Sequence, residues 1–305
     1  MLPALAATPG AELAAIASRD PAKAREAAAR HGGRPVHGYA ELLADDTIDA
    51  VYVPLPAALH APWTEAALLA GKHVLAEKPL TTHAPTTARL LALAHARGLV
   101  LMENVLFLHH PQHATVRALL DDGAIGELRS FHAAFCVPPR PATDIRLRPE
   151  LDGGALWDTG VYPLRAALHL LGTGLRTLGA VLTRTGDHPV DTAGAALLRT
   201  PAGAAVHLDF GLDHAYRNTY ELHGSHGRIV LDRAFTPPPD HTPRIRLHTP
   251  TGTRTLTTPP ADQAARTLAA FATAVRHGTP PDDPATLAQA TLLDELRATA
   301  ARTPA

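Results

Sequence analysis

At 305 residues the chain can bury a large core, and at about 150 residues per domain it points to two domains rather than one. The formal charge is −1 and the arginines are dispersed, so no basic stripe marks a nucleic acid or an acidic membrane surface as a partner. Cys136 is the sole cysteine, which excludes an intramolecular disulfide and a multi-cysteine metal site and fits a reducing, cytoplasmic setting.

No run reaches the roughly 20 uncharged apolar residues that a membrane helix needs, since even residues 90–102 contain His95 and Arg97. The apolar start, residues 1–7, has no preceding basic residue, so it reads as a helix end rather than a secretory leader, and a soluble protein is expected. Among Lys and Arg, lysine occurs only at 23, 72 and 78, so each retained lysine raises a question of chemistry.

From residue 12 to about 135, short apolar runs alternate with amphipathic stretches, the pattern of βαβ units around a parallel sheet. The predicted strands are 13–17, 48–53, 73–76, 100–105 and 129–135. Helices are predicted over 21–31, 63–70, 86–97 and 112–122, the last ended by Gly123 to Gly126. The run Ile48-Asp-Ala-Val-Tyr-Val53 is nearly continuous in apolar character, as expected for a strand covered on both faces.

Beyond Pro138-Pro139-Arg140-Pro141 the character changes. One helix over 155–171 is followed by a predicted antiparallel meander at 176–185, 193–199 and 204–210, then strands at 218–223, 228–231, 244–248 and 253–256. Helices return at 262–277 and 285–302. The fold class is therefore α/β plus α+β: a Rossmann-type parallel-sheet domain over 1–127, and a second, open and mainly antiparallel sheet domain over 128–305. The C-terminal helices are expected to pack back on the first domain.

A Rossmann domain opens with a strand, a G-x-G-x-x-G or G-x-G-x-x-A turn and a helix, and no such motif stands near the start. The first residues read instead as the end of the first helix, followed by the second strand and Ser18-Arg19-Asp20. The expectation is a domain lacking its first strand, through a misassigned start or a truncation. An acidic residue after the second strand favours NAD, whereas Ser18 and Arg19 there favour the 2′-phosphate of NADP. Helix capping is the other reading of Ser18 and Asp20.

Gly71-Lys72-His73-Val74-Leu75-Ala76-Glu77-Lys78-Pro79-Leu80 is a strand ending in a charged pair, at the sheet end where ligands bind. Taken alone, Lys78 and Glu77 could be a surface salt bridge. The stretch resembles the Glu-Lys-Pro signature of the glucose–fructose oxidoreductase, inositol dehydrogenase and rhizopine-catabolism (Gfo/Idh/MocA) family. Further matching blocks are Leu55 to His60, Met102-Glu103-Asn104, Asp144 to Leu147, and Gly153 to Pro163, so the resemblance spans nearly the whole chain. It departs from the family pattern at Asp152, where a third glycine usually stands, and has Tyr162 at a position that can be His.

The resemblance implies cofactor contacts at Leu55, Pro56, His60, Glu77, Lys78 and Asn104, catalytic roles for Lys78, Asp158 and Tyr162, and substrate contacts at Arg146, Trp157 and Tyr162. It implies an NADP(H)-dependent oxidoreductase similar to the C-3 ketoreductases of nucleotide-linked deoxysugars. Two alternatives stay open: an NADP-dependent dehydrogenase of a free sugar or diol, and a non-enzymatic NADP-binding regulator. Association as a homodimer or homotetramer through the second sheet is also implied.

The residue chemistry agrees. A helix brings Asp158 and Tyr162, four apart, to one face. Reducing a ketone needs a proton for the developing alkoxide, which Tyr162 can give if a cation such as Lys78 eases tyrosinate formation. Gly153 and Gly154 suggest close backbone approach to a ligand. Trp157 suits either a sugar face or the core. His109, His110 and His113 lack the companions of a metal site, so no metal is assigned, and one of them could touch substrate.

Overall fold

The computed structural model describes residues 1–278 and 284–301. In chain order it contains α1 (Leu2–Ala6), β1 (Ala15–Ser18), α2 (Pro21–His31), β2 (Arg34–His37), α3 (Tyr39–Leu43), β3 (Ala50–Val53), α4 (His60–Leu69), β4 (His73–Glu77), α5 (Ala84–Ala96), β5 (Leu101–Asn104) and α6 (Pro111–Asp121). Then come β6 (Leu128–Cys136), α7 (Val161–Leu171), β7 (Arg176–Thr183), β8 (Ala193–Arg199), β9 (Ala205–Gly211), β10 (Arg217–Gly224), β11 (Arg228–Asp232), β12 (Arg244–Thr249), β13 (Gly252–Thr257), α8 (Gln263–His277) and α9 (Pro284–Ala300).

The parallel layer is in two pieces. β1 pairs with β2, while β3, β4 and β5 form a separate three-stranded parallel sheet. A first Rossmann strand would lie between β1 and β3, and no described residue fills that place. The pieces meet through side chains: Ala14 and Ala15 pack against the cluster of Val51, Val53, Val74 and Ala76. β2 was not expected, because Arg34-Pro-Val-His37 offers neither alternation nor an apolar run. It is an edge strand, where Pro35 is tolerated and only Val36 is buried.

The second sheet has eight strands in the order β13-β12-β11-β10-β6-β9-β8-β7. β6 sits at its centre, parallel to β9 and antiparallel to β10, and every other pairing is antiparallel. β6 therefore closes the alternating run in sequence but leaves the parallel layer in space. Alternation sorts its faces: Phe131, Leu208, Leu222 and Leu231 are buried in the core that α7 joins, while His132, His207 and Asp232 look outward.

The predicted helix at 155–171 is interrupted. Residues Leu156–Gly160 form a π turn before α7 continues. Helix α9 packs on α5, α7 and β7, and its Asp294 carboxylate accepts the N–H of Ala84 at the start of α5 (2.8 Å). The predicted end of that helix, Arg302, lies outside the described residues.

Two neighbours on β11 test the face assignment. Leu231→Ala, fully buried, should cost about 2–5 kcal/mol, whereas Asp232→Ala, which loses an exposed ion pair to Arg246, should cost at most about 1 kcal/mol. Urea unfolding in which the aspartate change cost more than the leucine change would refute the assignment.

Candidate active site

Lys78 stands at the C-terminal end of β4, and its partner is not Glu77. Its Nζ donates to the backbone oxygen of Asp158 and to Asp158 Oδ1, both at 2.8 Å. The surface salt bridge that the motif taken alone would allow does not form, since the Glu77 carboxylate is occupied elsewhere: Oε1 accepts from the Tyr52 hydroxyl and from Asn104 Nδ2, each at 2.6 Å. Two of the three Lys78 N–H donors are spent on Asp158, and no other described residue accepts the third.

Asp158 lies in the π turn, whose extra residue swings its carboxylate toward both Lys78 and Arg146. Oδ2 accepts from Arg146 Nε at 2.8 Å, and Arg146 is itself steadied by Asp144 at 3.2 Å. Asp191 anchors the start of this segment: its backbone oxygen accepts the N–H of Ala155 (2.8 Å) and its Oδ2 that of Leu156 (2.7 Å). The sequence reading missed Asp191, which sits in a loop between two strands with no local motif.

Tyr162 opens α7 with its ring packed on Phe107, Phe135 and Phe235, the Phe135 contact being edge-on at 4.7 Å. Lys78 Nζ lies 5.0 Å from the ring centroid, a cation–π arrangement. The Tyr162 hydroxyl bonds to no described residue. Burial raises the Tyr162 pKa, and Lys78 offsets this only in part. The expected easing of tyrosinate therefore has the right sign but loses to desolvation, and Tyr162 stays a protonated acid.

Burial would lower the pKa of Lys78, but Asp158 first, then Tyr162 and Glu77, raise it, with a net shift upward. Burial likewise works against ionised Asp158, yet Lys78 and Arg146 hold its pKa below the usual carboxylate range.

Lys78, Asp158, Arg146 and Glu77 border a cavity of about 300 Å³ lined also by Leu55, Pro56, His60 and Trp157, with Tyr52 among the further lining residues. Asn104 lies behind Glu77, fully buried, with Oδ1 unpartnered. His60 is buried too, its ring within 2.7 Å of the Pro79 oxygen and 2.6 Å of the Leu55 oxygen, so it clasps the two loops together. Tyr162 is not among the lining residues, and Ser18 and Arg19 lie outside the cavity.

Asp20 is the cap of α2, accepting from Ala22 N at 2.8 Å, and Ser18 accepts from Asp20 N at 3.1 Å. Arg19 is exposed and pairs with no described acid. Trp157 serves both readings, lining the cavity while only 7% exposed, with the Arg297 guanidinium 5.5 Å from its ring.

The glycine pair has a different reason from the one expected. A Cβ on Gly153 would meet the Arg146 carbonyl oxygen at 2.5 Å, and Gly154, at φ +126°, faces the Asp191 carboxylate. The close approach is to the protein's own chain. Asp152 adopts φ +53°, which explains a glycine preference there; Asp tolerates that region, and its Oδ2 accepts from Thr82 at 2.8 Å.

Two of the three histidines take part in internal hydrogen bonds. His110 Nδ1 caps α6 through Gln112 N, and His113 is fully buried with Nδ1 2.9 Å from the Tyr220 hydroxyl. His109 accepts from Arg266 through its backbone oxygen. Among the described residues no group of three His, Cys, Asp or Glu side chains gathers as a metal site. None of the described helices is long and apolar enough to cross a membrane.

Residues 1–105 match the oxidoreductase family with an NAD-binding Rossmann fold, and residues 113–230 match the GFO/IDH/MocA C-terminal domain. The chain is 53% identical, over 97% of its length and 90% of the relative's, to dTDP-3,4-didehydro-2,6-dideoxy-alpha-D-glucose 3-reductase of Streptomyces violaceoruber. It is 38% identical, over 88% of its length and 83% of the relative's, to an NADP(+) D-xylose 1-dehydrogenase of Haloferax volcanii. A crystal structure of a 3-ketoreductase from Actinomadura kijaniata, in complex with NADP and TDP-benzene, superimposes with a TM-score of 0.95 at 50% identity, covering 98% of this chain and 92% of the other.

The Lys78–Asp158 pair sets a pH window for stability. Asp158, with a depressed folded pKa, contributes above the ordinary carboxylate value near 4 and loses that contribution as pH falls through its folded value. Lys78, with a raised one, contributes below about 10.4 and loses it as pH rises through its folded value. Asp158→Asn should lower stability at neutral pH by about 1–3 kcal/mol and flatten the acid limb of a melting-temperature profile. A variant with an unchanged acid limb would rule out the pair as its source.

Proposed function

We propose, from the premise that the chain belongs to the Gfo/Idh/MocA family of oxidoreductases, that it reduces the C-3 ketone of a dTDP-linked 3,4-didehydro-2,6-dideoxyglucose with NADPH. The observation that carries this reading is the pairing of Lys78, charged and with one N–H unspent, with a protonated Tyr162 whose hydroxyl has no partner among the described residues.

The residues present suit the cofactor in two places. The exposed, unpaired Arg19 can receive the 2′-phosphate of NADP. Asn104, buried behind Glu77 with an unsatisfied Oδ1, and the wall of Leu55, Pro56 and His60 offer a carboxamide and ribose site. Ser18, Arg19, Leu55, Pro56, His60, Glu77, Lys78 and Asn104 would hold the cofactor. When bound, NADPH supplies the hydride that the carbonyl carbon receives.

The chain's own part is to manage the oxygen. Lys78 polarises the carbonyl through its remaining N–H, and Asp158 keeps that ammonium charged and aimed. Tyr162 gives its phenolic proton to the developing alkoxide and is reprotonated from solvent. The phenol is protonated at neutral pH, and Lys78 offsets part of the cost that burial puts on the tyrosinate left behind. Arg146 and Trp157 face the sugar nucleotide, the first as a charge and the second as a ring for the sugar face.

The division into a cofactor domain, 1–127, and a substrate and association domain, 128–305, belongs to the same proposal. The outer face of the eight-stranded sheet, with Val181 and Leu197 exposed on it, is the surface for a homodimer or homotetramer. The working compartment is the cytoplasm, where NADPH is replenished.

In an assay with NADPH and the dTDP-linked 3-keto sugar, Lys78→Ala and Tyr162→Phe should each lower kcat by about 10²- to 10⁴-fold. Turnover unchanged in both variants, or faster NADP-dependent oxidation of D-xylose than reduction of the keto sugar, would overturn the reading. Arg19→Ala should raise the KM for NADPH by on the order of 10- to 100-fold while leaving that for NADH unaltered. Equal effects on both cofactors would remove Arg19 from the phosphate site.

A further inference from the structure

Behind the catalytic groups lies a second ion pair that the chemistry above does not use. Glu103, at the end of β5, and Arg165, on α7, are paired at 3.3 Å with side chains 0% and 1% exposed. Taking two charges out of water costs several kcal/mol each, and an apolar pair of like volume is often as stable, so retention of the charges calls for a reason beyond stability.

The partners suggest that reason. Glu103 Oε1 accepts the backbone N–H of Leu80 at 2.8 Å. Pro79 has no N–H, and that of Lys78 is turned to Glu77 Oε2 at 3.3 Å, so the Leu80 N–H is the first backbone donor after Lys78 that a group outside the turn can accept, beside the hold of His60 on the Pro79 oxygen. Arg165 follows Tyr162 by three residues on the same helix, close to one face. The same carboxylate accepts from Gln289 Nε2 at 2.7 Å, and the guanidinium reaches Gln289 Oε1 and Thr286 Oγ1, on one face of α9, at 3.4 Å. Lys78 and Tyr162 thus arrive from two distant parts of the chain and are tied together twice, in front through Asp158 and behind through Glu103 and Arg165.

We infer that Glu103 and Arg165 are positioning residues that hold the Lys78 turn in register with the helix carrying Tyr162, so that ammonium and phenol meet one carbonyl oxygen. The inference rests on the ketoreductase reading for its kinetic consequence but not for its structural one. Small misplacement of reacting groups costs rate more than binding.

The test is the apolar pair Glu103→Leu/Arg165→Met. It should keep KM for NADPH and for the sugar nucleotide within about twofold while kcat falls by roughly 10- to 100-fold. Because the chain has only three lysines, the Lys78 ammonium can be followed by NMR of ¹⁵N-labelled lysine, and its titration should move down toward the ordinary lysine value as the hold on Asp158 loosens. Arg165→Lys, which keeps the charge, should recover most of the lost kcat relative to Arg165→Met.

If the apolar pair does not fold, the comparison of Arg165→Lys with Arg165→Met decides the matter by the same two readouts. Wild-type kcat together with an unmoved Lys78 titration in any folded neutral variant would overturn the inference. An inactive wild type would instead overturn the ketoreductase reading, with the lysine titration still testing the register.

Discussion

The contact between Lys78 and Asp158 organises this molecule, because it is where two halves of the chain that share no sheet are joined by charge. Lys78 belongs to the end of a short parallel strand, and Asp158 to a widened helical turn that packs on the antiparallel sheet. The ammonium is held by one carboxylate and backs onto one aromatic ring, so its position is settled by groups eighty residues away. The same carboxylate also holds Arg146, and the ammonium offsets part of the burial that keeps Tyr162 protonated.

Supporting interactions radiate from it in layers. His60 clasps the loop after β3 to Pro79, Tyr52 and Asn104 immobilise Glu77, and Asp191 fixes the start of the π turn. Glycines 153 and 154 let that segment press against Arg146 and Asp191 without a side chain in the way. Most of the polar contacts in this part of the protein therefore serve placement, while Lys78 Nζ keeps one N–H and the Tyr162 hydroxyl has no partner among the described residues.

The break in the parallel layer does not disturb this arrangement. β3, β4 and β5 carry the cavity wall as one hydrogen-bonded unit, while β1 and β2, with Arg19, form a separate ladder joined to it by small apolar side chains. The residues of the cavity wall and Arg19 thus stand on different pieces of sheet.

Much of this was legible in the chain itself. Periodicity located most elements to within a few residues, and family motifs singled out Lys78, Asp158 and Tyr162. What escaped was what distance along the chain conceals. β2 lacks an apolar pattern because it lies at an edge; the π turn has the same local preferences as the α-helix around it; Tyr52, Asp191, Glu103 and Arg165 acquire meaning only from partners 23 to 186 residues away. Sequence by itself determined which side chains can carry charge, donate protons or bend the backbone, since those are properties of single residues and their near neighbours. Only the tertiary structure decided who meets whom: that Lys78 answers to Asp158 and not to adjacent Glu77, and that the burial raising the Tyr162 pKa outweighs the cation beside it. Both outcomes are set by packing, which sums contributions from the whole fold.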